Sequence, residues 1–217
     1  MIVKICGIKD LAAMEAALEA GADMVGLVFF PPSPRNVTPG DAEKLAARAR
    51  GRAKVVALSV DADDALIEAI ETSIAPDLHQ LHGSESTARV AELRARTKKP
   101  VMKAIPVANA SDLAPLSSYE AVADWILFDA KAPKDATRPG GHGRTFDWSL
   151  LANVKRGKPV MLSGGINPEN VAAAIETVRP DAVDVSSGVE SAPGVKDREK
   201  IFAFVRNARN AVMERAS

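Results

Sequence analysis

The chain has 217 residues, of which 47% are hydrophobic and 26% charged, and its 28 Lys plus Arg balance its 28 Asp plus Glu. This composition excludes disorder as the main state, because the apolar content suffices for a core. The formal net charge is zero, so the chain lacks the basic excess that is typical of nucleic-acid-binding and polybasic membrane-binding proteins.

The sequence shows no feature of an exported or membrane protein. Its longest uncharged run, Met24 to Pro34, contains prolines and is far shorter than the ~20 residues of a membrane helix. No signal peptide is visible at the start, and the single cysteine, Cys6, excludes an intramolecular disulfide. We therefore expect a cytoplasmic protein with neither a membrane nor a nucleic-acid partner.

Short segments rich in β-formers recur along the whole chain. They begin near residues 2, 24, 54, 77, 101, 124, 159 and 182, and Ala-rich segments with helical spacing lie between them. Several are nearly continuous apolar runs, as expected of strands that are buried on both faces of a parallel sheet. Eight such units predict an α/β fold, a single (β/α)8 TIM barrel over residues 1–217, with a doubly wound open sheet as the alternative.

The first predicted helix begins after Asp10, which can cap it, and stops at Gly21. Leu11, Met14 and Leu18 fall at i, i+3 and i+7, which predicts that they form its buried face.

Two later helices have a similar start signal. Thr38 can cap a helix with Pro39 at its first position, and Asn167-Pro168 repeats that pattern. In the second of these, the spacing of Val171, Ala174 and Val178 predicts a buried face.

The intervals after the second and sixth strands are the longest. Their surplus falls at residues 29–37 and 130–146. Because the loops that follow the strands form the active face of this fold, we expect these two loops to be functional rather than disordered insertions.

Polar residues occur at the C-terminal ends of several predicted strands, where a barrel interior is normally apolar. They are Cys6, Gln80, His82, Asp129, Ser163 and Asp184. Polar residues of different types at the ends of five predicted strands indicate a catalytic mouth.

Three of these residues have alternative interpretations. Cys6 can be a buried hydrophobe, although Lys4 shares its face of the strand and would favour a reactive thiolate. Asp129 can instead cap a helix, and Asp184 can instead be a structural acceptor that fixes the loops.

Glycine-rich loops follow the last two strands and predict a phosphate site. Ser163-Gly164-Gly165 follows strand 7, and Ser186-Ser187-Gly188 follows strand 8. Glycines allow backbone N–H groups to approach an anion, and these two loops form the usual phosphate clamp of such barrels. The alternative is that the glycines only make tight turns.

The two long loops carry further candidates. Arg35 can hold a carboxylate in a bidentate fork, unless it is a solvated surface residue. Residues 140–143 read Gly-Gly-His-Gly and can close over a ligand. His142 stands alone there, no His/Cys/Glu cluster has ligand spacing and no GxGxxG follows the first strand, so we expect neither a metal nor a nicotinamide cofactor.

The motifs together resemble those of the phosphoribosylanthranilate isomerase family. They are KICGI, GADMVGLVFFPPSPRNV, QLHG, LFDA, GGHG followed by FDW, LSGGINPENV and VDVSSGVESAPGVKD, in that order from Lys4 to about Phe204. Family members often have Thr at the position of His142, and an aromatic residue is common near the end of strand 3, where this chain has Leu58-Ser59-Val60-Asp61.

The resemblance implies a cofactor-free Amadori rearrangement of N-(5-phosphoribosyl)anthranilate in tryptophan biosynthesis. It implies Cys6 as general base, Asp129 as general acid and Arg35 as the holder of the anthranilate carboxylate. The implied phosphate ligands are Gly164, Gly165, Ser186, Ser187 and Gly188, with the Gly141 loop close by. We also expect substrate contacts from Gln80, His82 and Asp184.

Three rivals stand beside this interpretation. The sugar-phosphate isomerase of histidine biosynthesis has an aspartate at the end of strand 1, where this chain has Cys6. The indole-glycerol-phosphate synthase type uses a lysine and glutamate set and an extra N-terminal segment. A non-catalytic sugar-phosphate sensor is the third. The sequence does not determine whether the protein is a monomer or a homodimer.

Overall fold

The computed structural model describes residues 1–132, 140–141, 143 and 145–213. Within these residues, eight parallel strands pair in sequence order and close into a barrel, because β8 pairs with β1 as well as with β7. The strands are β1 (Ile2–Cys6), β2 (Met24–Phe29), β3 (Lys54–Ser59), β4 (Leu78–Leu81), β5 (Val101–Val107), β6 (Trp125–Ala130), β7 (Val160–Leu162) and β8 (Ala182–Val185). The predicted (β/α)8 barrel is confirmed, and the open sheet is excluded.

An α-helix follows each barrel strand within the described part of the chain. The helices are α1 (Leu11–Glu19), α2 (Pro39–Ala49), α3 (Asp64–Ile74), α4 (Thr87–Thr97), α5 (Leu116–Glu120), α6 (Ser149–Ala152), α7 (Val171–Val178) and α8 (Arg198–Met213). The connection from β8 to α8 adds elements that the sequence pattern did not predict. They are a 3₁₀ turn at Ser187–Val189 and a hairpin of β9 (Glu190–Ala192) and β10 (Val195–Lys196).

The helix starts confirm two predictions and correct a third. Asp10 accepts a hydrogen bond from the Ala13 N–H and caps α1, and Thr38 caps α2 in the same way. However, α7 begins at Val171 rather than directly after Asn167-Pro168. The Asn167 side chain accepts bonds from the backbone N–H groups of residues 169 and 170, and the turn thus formed precedes the helix.

The buried face of α1 also differs from the prediction. Leu11 is 51% exposed and Leu18 only half-buried, whereas Met14 is fully buried. Leu11 is the first residue of the helix and faces solvent there, so the small residues around Met14 make the contact with the barrel. In α7, Val171, Ala174 and Val178 are buried as predicted.

The alternation of side chains along the strands divides the core in two. Outward residues such as Val25, Leu27 and Phe128 pack under the helices. Inward residues of the lower barrel form a separate apolar cluster that includes Met24, Met102 and Met161. This cluster is a floor beneath the polar side chains at the C-terminal ends of the strands.

At the opposite end of the barrel, four aspartates tie neighbouring strands together. Each comes directly before an even-numbered strand and accepts a hydrogen bond from a backbone N–H at the start of the preceding odd strand, at 2.7–3.0 Å. They are Asp23, Asp77, Asp124 and Asp181. The barrel is therefore built from four similar two-strand units, a repeat that the sequence motifs GAD, APD, VAD and RPD already contain.

No helix among the described residues is both long enough and apolar enough to cross a membrane.

Candidate active site

A cavity opens at the C-terminal ends of the barrel strands. Its volume is about 790 Å3, its open mouth included. Ten of the twelve predicted site residues line it: Cys6, Arg35, His82, Asp129, Gly141, Gly164, Gly165, Asp184, Ser186 and Ser187. Gln80 lies behind His82 and Gly188 lies beside an adjoining cleft, so neither lines this cavity.

Cys6 and Lys4 both point into the barrel from β1, as their spacing predicts. Both are buried, and the Lys4 Nζ donates a hydrogen bond to Asp184 Oδ1 on the neighbouring strand at 2.9 Å. Asp184 thus acts as a structural acceptor. Its other oxygen lies 3.5 Å from the Ser163 hydroxyl.

The pKa of the Cys6 thiol is raised above its ordinary value. Burial is the main cause and the negative charge of Asp184 adds to it, while the positive charges of Lys4 and Lys196 act in the opposite direction. The predicted lowering of the Cys6 pKa by Lys4 is therefore present but is outweighed by burial.

Lys4 nevertheless keeps its charge. Burial lowers the pKa of Lys4, but the charges of Asp184 and Cys6 more than compensate, so its pKa is raised overall. Lys4 therefore stands beside the thiol as an ammonium group.

Gly26 provides the space for this arrangement, and the sequence reasoning missed it. It pairs with Cys6 across β1 and β2. A Cβ atom at Gly26 would stand 2.7 Å from the Cys6 Sγ and 3.1 Å from the Lys4 Nζ. Its place in the middle of an apolar strand was the available signal, because glycine inside a strand often marks a close approach.

Asp129 stands at the end of β6 with both carboxylate oxygens engaged. Oδ1 accepts from the Ala130 N–H at 2.9 Å, and Oδ2 lies 2.9 Å from the Nε2 of His82. The alternative of a helix cap is wrong, because Ala130 continues the strand and residues 131–132 are not helical.

His82 is held from behind by Gln80, whose amide nitrogen lies 3.0 Å from the His82 Nδ1. The Nε2 on the other side of the ring faces Asp129, so the imidazole is fixed between the Gln80 and Asp129 side chains.

Arg35 is 4% exposed, which excludes a solvated surface role. Its Nε and Nη2 donate to the two oxygens of Glu190 at 2.7 and 2.8 Å. Lys196 donates to the same carboxylate at 2.8 Å. Sequence reasoning missed Glu190 and Lys196, although both lie within the quoted VESAPGVKD segment.

Burial raises the pKa of Glu190, but the hydrogen bond from Arg35 and the charge of Lys196 outweigh it, so the net pKa is lowered. Burial lowers the pKa of Lys196. Glu190 is therefore a carboxylate in this cluster.

The two predicted phosphate loops lie next to each other. Gly164 and Gly165 have φ of +84° and +67°, in the left-handed region that favours glycine. Gly165 and Ser187 line both the main cavity and the adjoining cleft, where Gly188 and Lys200 are also found. Their backbone N–H groups and the short 3₁₀ turn make this corner suited to an anion.

His142 lies outside the described residues, so its predicted place in the sixth loop has no structural account. The neighbouring Gly140, Gly141 and Gly143 line the main cavity. Among the described residues, no group of three or more His, Cys, Asp or Glu side chains is arranged to hold a metal ion.

Comparison with known proteins gives consistent matches. Residues 3–207 match the family described as N-(5'phosphoribosyl)anthranilate (PRA) isomerase. The N-(5'-phosphoribosyl)anthranilate isomerase of Rhodopseudomonas palustris (strain BisA53) is 61% identical over 207 residues, which is 95% of each chain.

Solved structures give the same picture. The phosphoribosyl anthranilate isomerase of Thermotoga maritima is similar with a TM-score of 0.88 and 40% identity, covering 97% of this chain and 100% of its own. A structure of such an isomerase in complex with reduced 1-(o-carboxyphenylamino)-1-deoxyribulose 5-phosphate has a TM-score of 0.83 and 36% identity, with the same coverage.

Proposed function

This chain belongs to the family of N-(5'-phosphoribosyl)anthranilate isomerases, and we propose that its Amadori rearrangement proceeds with Cys6 as general base and Asp129 as general acid. The supporting observation is that both residues line one cavity at the C-terminal face of the barrel, together with Arg35 and the phosphate loops. The enzyme thereby acts in tryptophan biosynthesis.

The first step opens the ribose ring. Asp129 gives a proton to the ring oxygen, the bond from that oxygen to C1′ breaks with its electron pair on oxygen, and the amine nitrogen forms a Schiff base with C1′. A proton donor is needed because an alkoxide is a poor leaving group. His82, 2.9 Å from Asp129, holds the carboxyl group in place.

The second step moves a proton from carbon. The Cys6 thiolate removes the C2′ proton, the electron pair forms the C1′–C2′ double bond, and the Schiff-base nitrogen becomes a neutral amine. The resulting enolamine then tautomerises to the ketone. Lys4 favours the thiolate that this step requires.

The substrate is oriented from its two ends. Arg35 binds the anthranilate carboxylate, and the loops with Gly164, Gly165, Ser186 and Ser187 bind the phosphate. Gly188 allows the loop after β8 to pack closely against the loop after β7, because a side chain at this position would collide with the Ile166 carbonyl.

The remaining predicted contacts act behind these groups. Gln80 fixes the His82 ring, and Asp184 keeps Lys4 next to Cys6. Under this mechanism the enzyme uses a sugar-phosphate substrate and needs no cofactor, and we place it in the cytoplasm.

The test follows the loss of fluorescence of freshly generated phosphoribosylanthranilate, in buffer with a metal chelator. We expect rapid, chelator-insensitive turnover by the wild type. Cys6→Ala and Asp129→Asn should each reduce kcat by about 10²- to 10⁴-fold, the usual contribution of a general acid or base, with unchanged circular dichroism.

The matched control is Glu19→Gln, which removes an exposed carboxylate that pairs with Arg198 on the helical surface. Its activity should equal that of the wild type. Near-normal turnover by either site variant would refute that residue's role, whereas ligand binding without turnover by the wild type would favour a sensor.

A further inference from the structure

We propose that Glu190 is a positioning residue that makes the isomerase selective for a substrate with an aromatic carboxylate, by fixing the guanidinium of Arg35. The inference rests on the proposed role of Arg35 as the carboxylate-binding group. It adds a specificity device that lies in the connection from β8 to α8, in the hairpin of β9 and β10.

The Glu190 carboxylate is saturated with hydrogen bonds. Oε1 accepts from Arg35 Nε at 2.7 Å and from Lys196 Nζ at 2.8 Å. Oε2 accepts from Arg35 Nη2 at 2.8 Å and from the backbone N–H of Gly194 at 3.1 Å. With four donors in place, Glu190 acts on a ligand only through Arg35, whose guanidinium is planar and is held along one edge.

The hairpin fits closely against the loop that carries Arg35. Gly194 lies at its turn with φ of +78°, and a Cβ atom there would stand 2.5 Å from the Pro34 carbonyl oxygen. Glu190 begins β9 and binds Gly194 across the turn, so one carboxylate holds both the hairpin and the arginine. The hairpin and the loop after β2 are thereby fixed relative to each other.

The far side of Arg35 is also enclosed. Its Nη2 lies 3.5 Å from the carbonyl oxygen of Gly141, and a side chain at Gly141 would collide with Nη1. The guanidinium therefore has one position between Glu190 and the loop after β6, at the wall of the cavity.

Glu190 could affect carboxylate binding through the net charge of its cluster or through the position of the Arg35 guanidinium, and the two effects predict opposite results when Glu190 is replaced. The cluster holds two cations, Arg35 and Lys196, and one anion, Glu190. If net charge governed recognition, a neutral Glu190→Gln would strengthen binding of a carboxylate. If position governs, the released guanidinium would bind it less well. We expect position to dominate, because a buried bidentate pair fixes both the plane and the distance of the donors.

The experiment measures carboxylate discrimination. This is the ratio of kcat/KM for phosphoribosylanthranilate to kcat/KM for the analogue made with aniline, which lacks the carboxylate. Glu190→Gln should lower this ratio about 10- to 100-fold through a higher KM for the natural substrate, while kcat/KM for the aniline analogue changes less than about threefold.

Two further variants separate the causes. Glu190→Asp keeps the buried charge, but its side chain is one methylene shorter and cannot hold the guanidinium in the same place. It should therefore also lose discrimination. It takes the place of Glu190→Gln in the comparison if the latter does not fold. Glu19→Gln again serves as the surface control, because it too removes a carboxylate paired with an arginine.

The outcomes distinguish this inference from the proposed function. If Arg35→Met abolishes discrimination but both Glu190 variants retain it, the positioning role of Glu190 is wrong and the role of Arg35 stands. Tighter binding of the natural substrate by Glu190→Gln would likewise overturn it in favour of net charge. If Arg35→Met retains discrimination, the carboxylate-binding role of Arg35 itself is wrong.

Discussion

The reactivity of Cys6 depends on a few neighbouring groups whose effects oppose one another. Burial and Asp184 raise the pKa of its thiol, and Lys4 and Lys196 lower it. A buried thiol is by default inert, so the adjacent ammonium of Lys4 distinguishes this cysteine from a packing residue. Gly26 leaves the room in which thiol and ammonium meet.

This balance predicts pH shifts of opposite sign for two variants. Lys4→Met removes a charge that lowers the pKa of Cys6, so the acidic limb of kcat/KM should move to higher pH. Asp184→Asn removes a charge that raises it, so the limb should move to lower pH. The measurement is kcat/KM as a function of pH for the wild type and both variants, across the pH range in which all three stay folded. Shifts in the same direction would contradict this electrostatic account.

At the scale of elements, a buried ion pair outside the barrel supports the loop that follows β4. Lys103 points outward from β5 and donates to Glu85 at 2.9 Å and to the carbonyl oxygens of Leu81 and Gly83. His82 lies between these two carbonyls in the chain. The pair therefore fixes the backbone on both sides of the residue that holds Asp129.

Removing one partner of this pair should be more harmful than removing both. Lys103→Met leaves Glu85 as a buried unpaired charge and should lower the free energy of unfolding by about 3–5 kcal/mol. The double variant Lys103→Met/Glu85→Gln should recover part of that loss. Urea denaturation measures both. Equal stability of the single and double variants would contradict this account, because it would show that the Glu85 carboxylate is solvated when Lys103 is absent.

At the scale of the whole molecule, stability and activity are placed at opposite ends of the barrel. The four aspartates before β2, β4, β6 and β8 join the strands in pairs at the N-terminal end. The cavity, with Cys6 and Asp129, lies at the C-terminal end. A change at the aspartate end should therefore leave the chemistry untouched.

Asp77 is well suited to test this separation, because its carboxylate accepts a hydrogen bond from the Val55 N–H at 2.7 Å, whereas Asp23 and Asp124 also form ion pairs with arginines. Asp77→Ala should lower the free energy of unfolding by about 1–3 kcal/mol, the cost of an unsatisfied buried donor. Asp77→Asn keeps an acceptor and should lose less. Both should retain wild-type kcat. A reduced kcat in a stably folded variant would contradict the separation.

Much of the architecture was readable from the chain. The eight strand starts and the caps at Asp10 and Thr38 lie where the pattern predicts, because side-chain alternation along a strand and capping of a helix are local. The predicted start of α7 was wrong by a few residues, because an asparagine side chain such as that of Asn167 can stabilise either a helix start or a turn. The exposure of Leu11 also required the structure, because periodicity does not define where a helix face ends.

The sequence by itself determined the barrel, the family and the residues that surround one cavity mouth, because residues at the ends of parallel strands must meet at one edge. Only the tertiary structure decided how those residues are paired. The contacts of Arg35 with Glu190, of Lys4 with Asp184 and of His82 with Asp129 join positions 155, 180 and 47 residues apart. Their strength depends on burial and distance, which no local pattern contains, so the electrostatics of the site came from the fold.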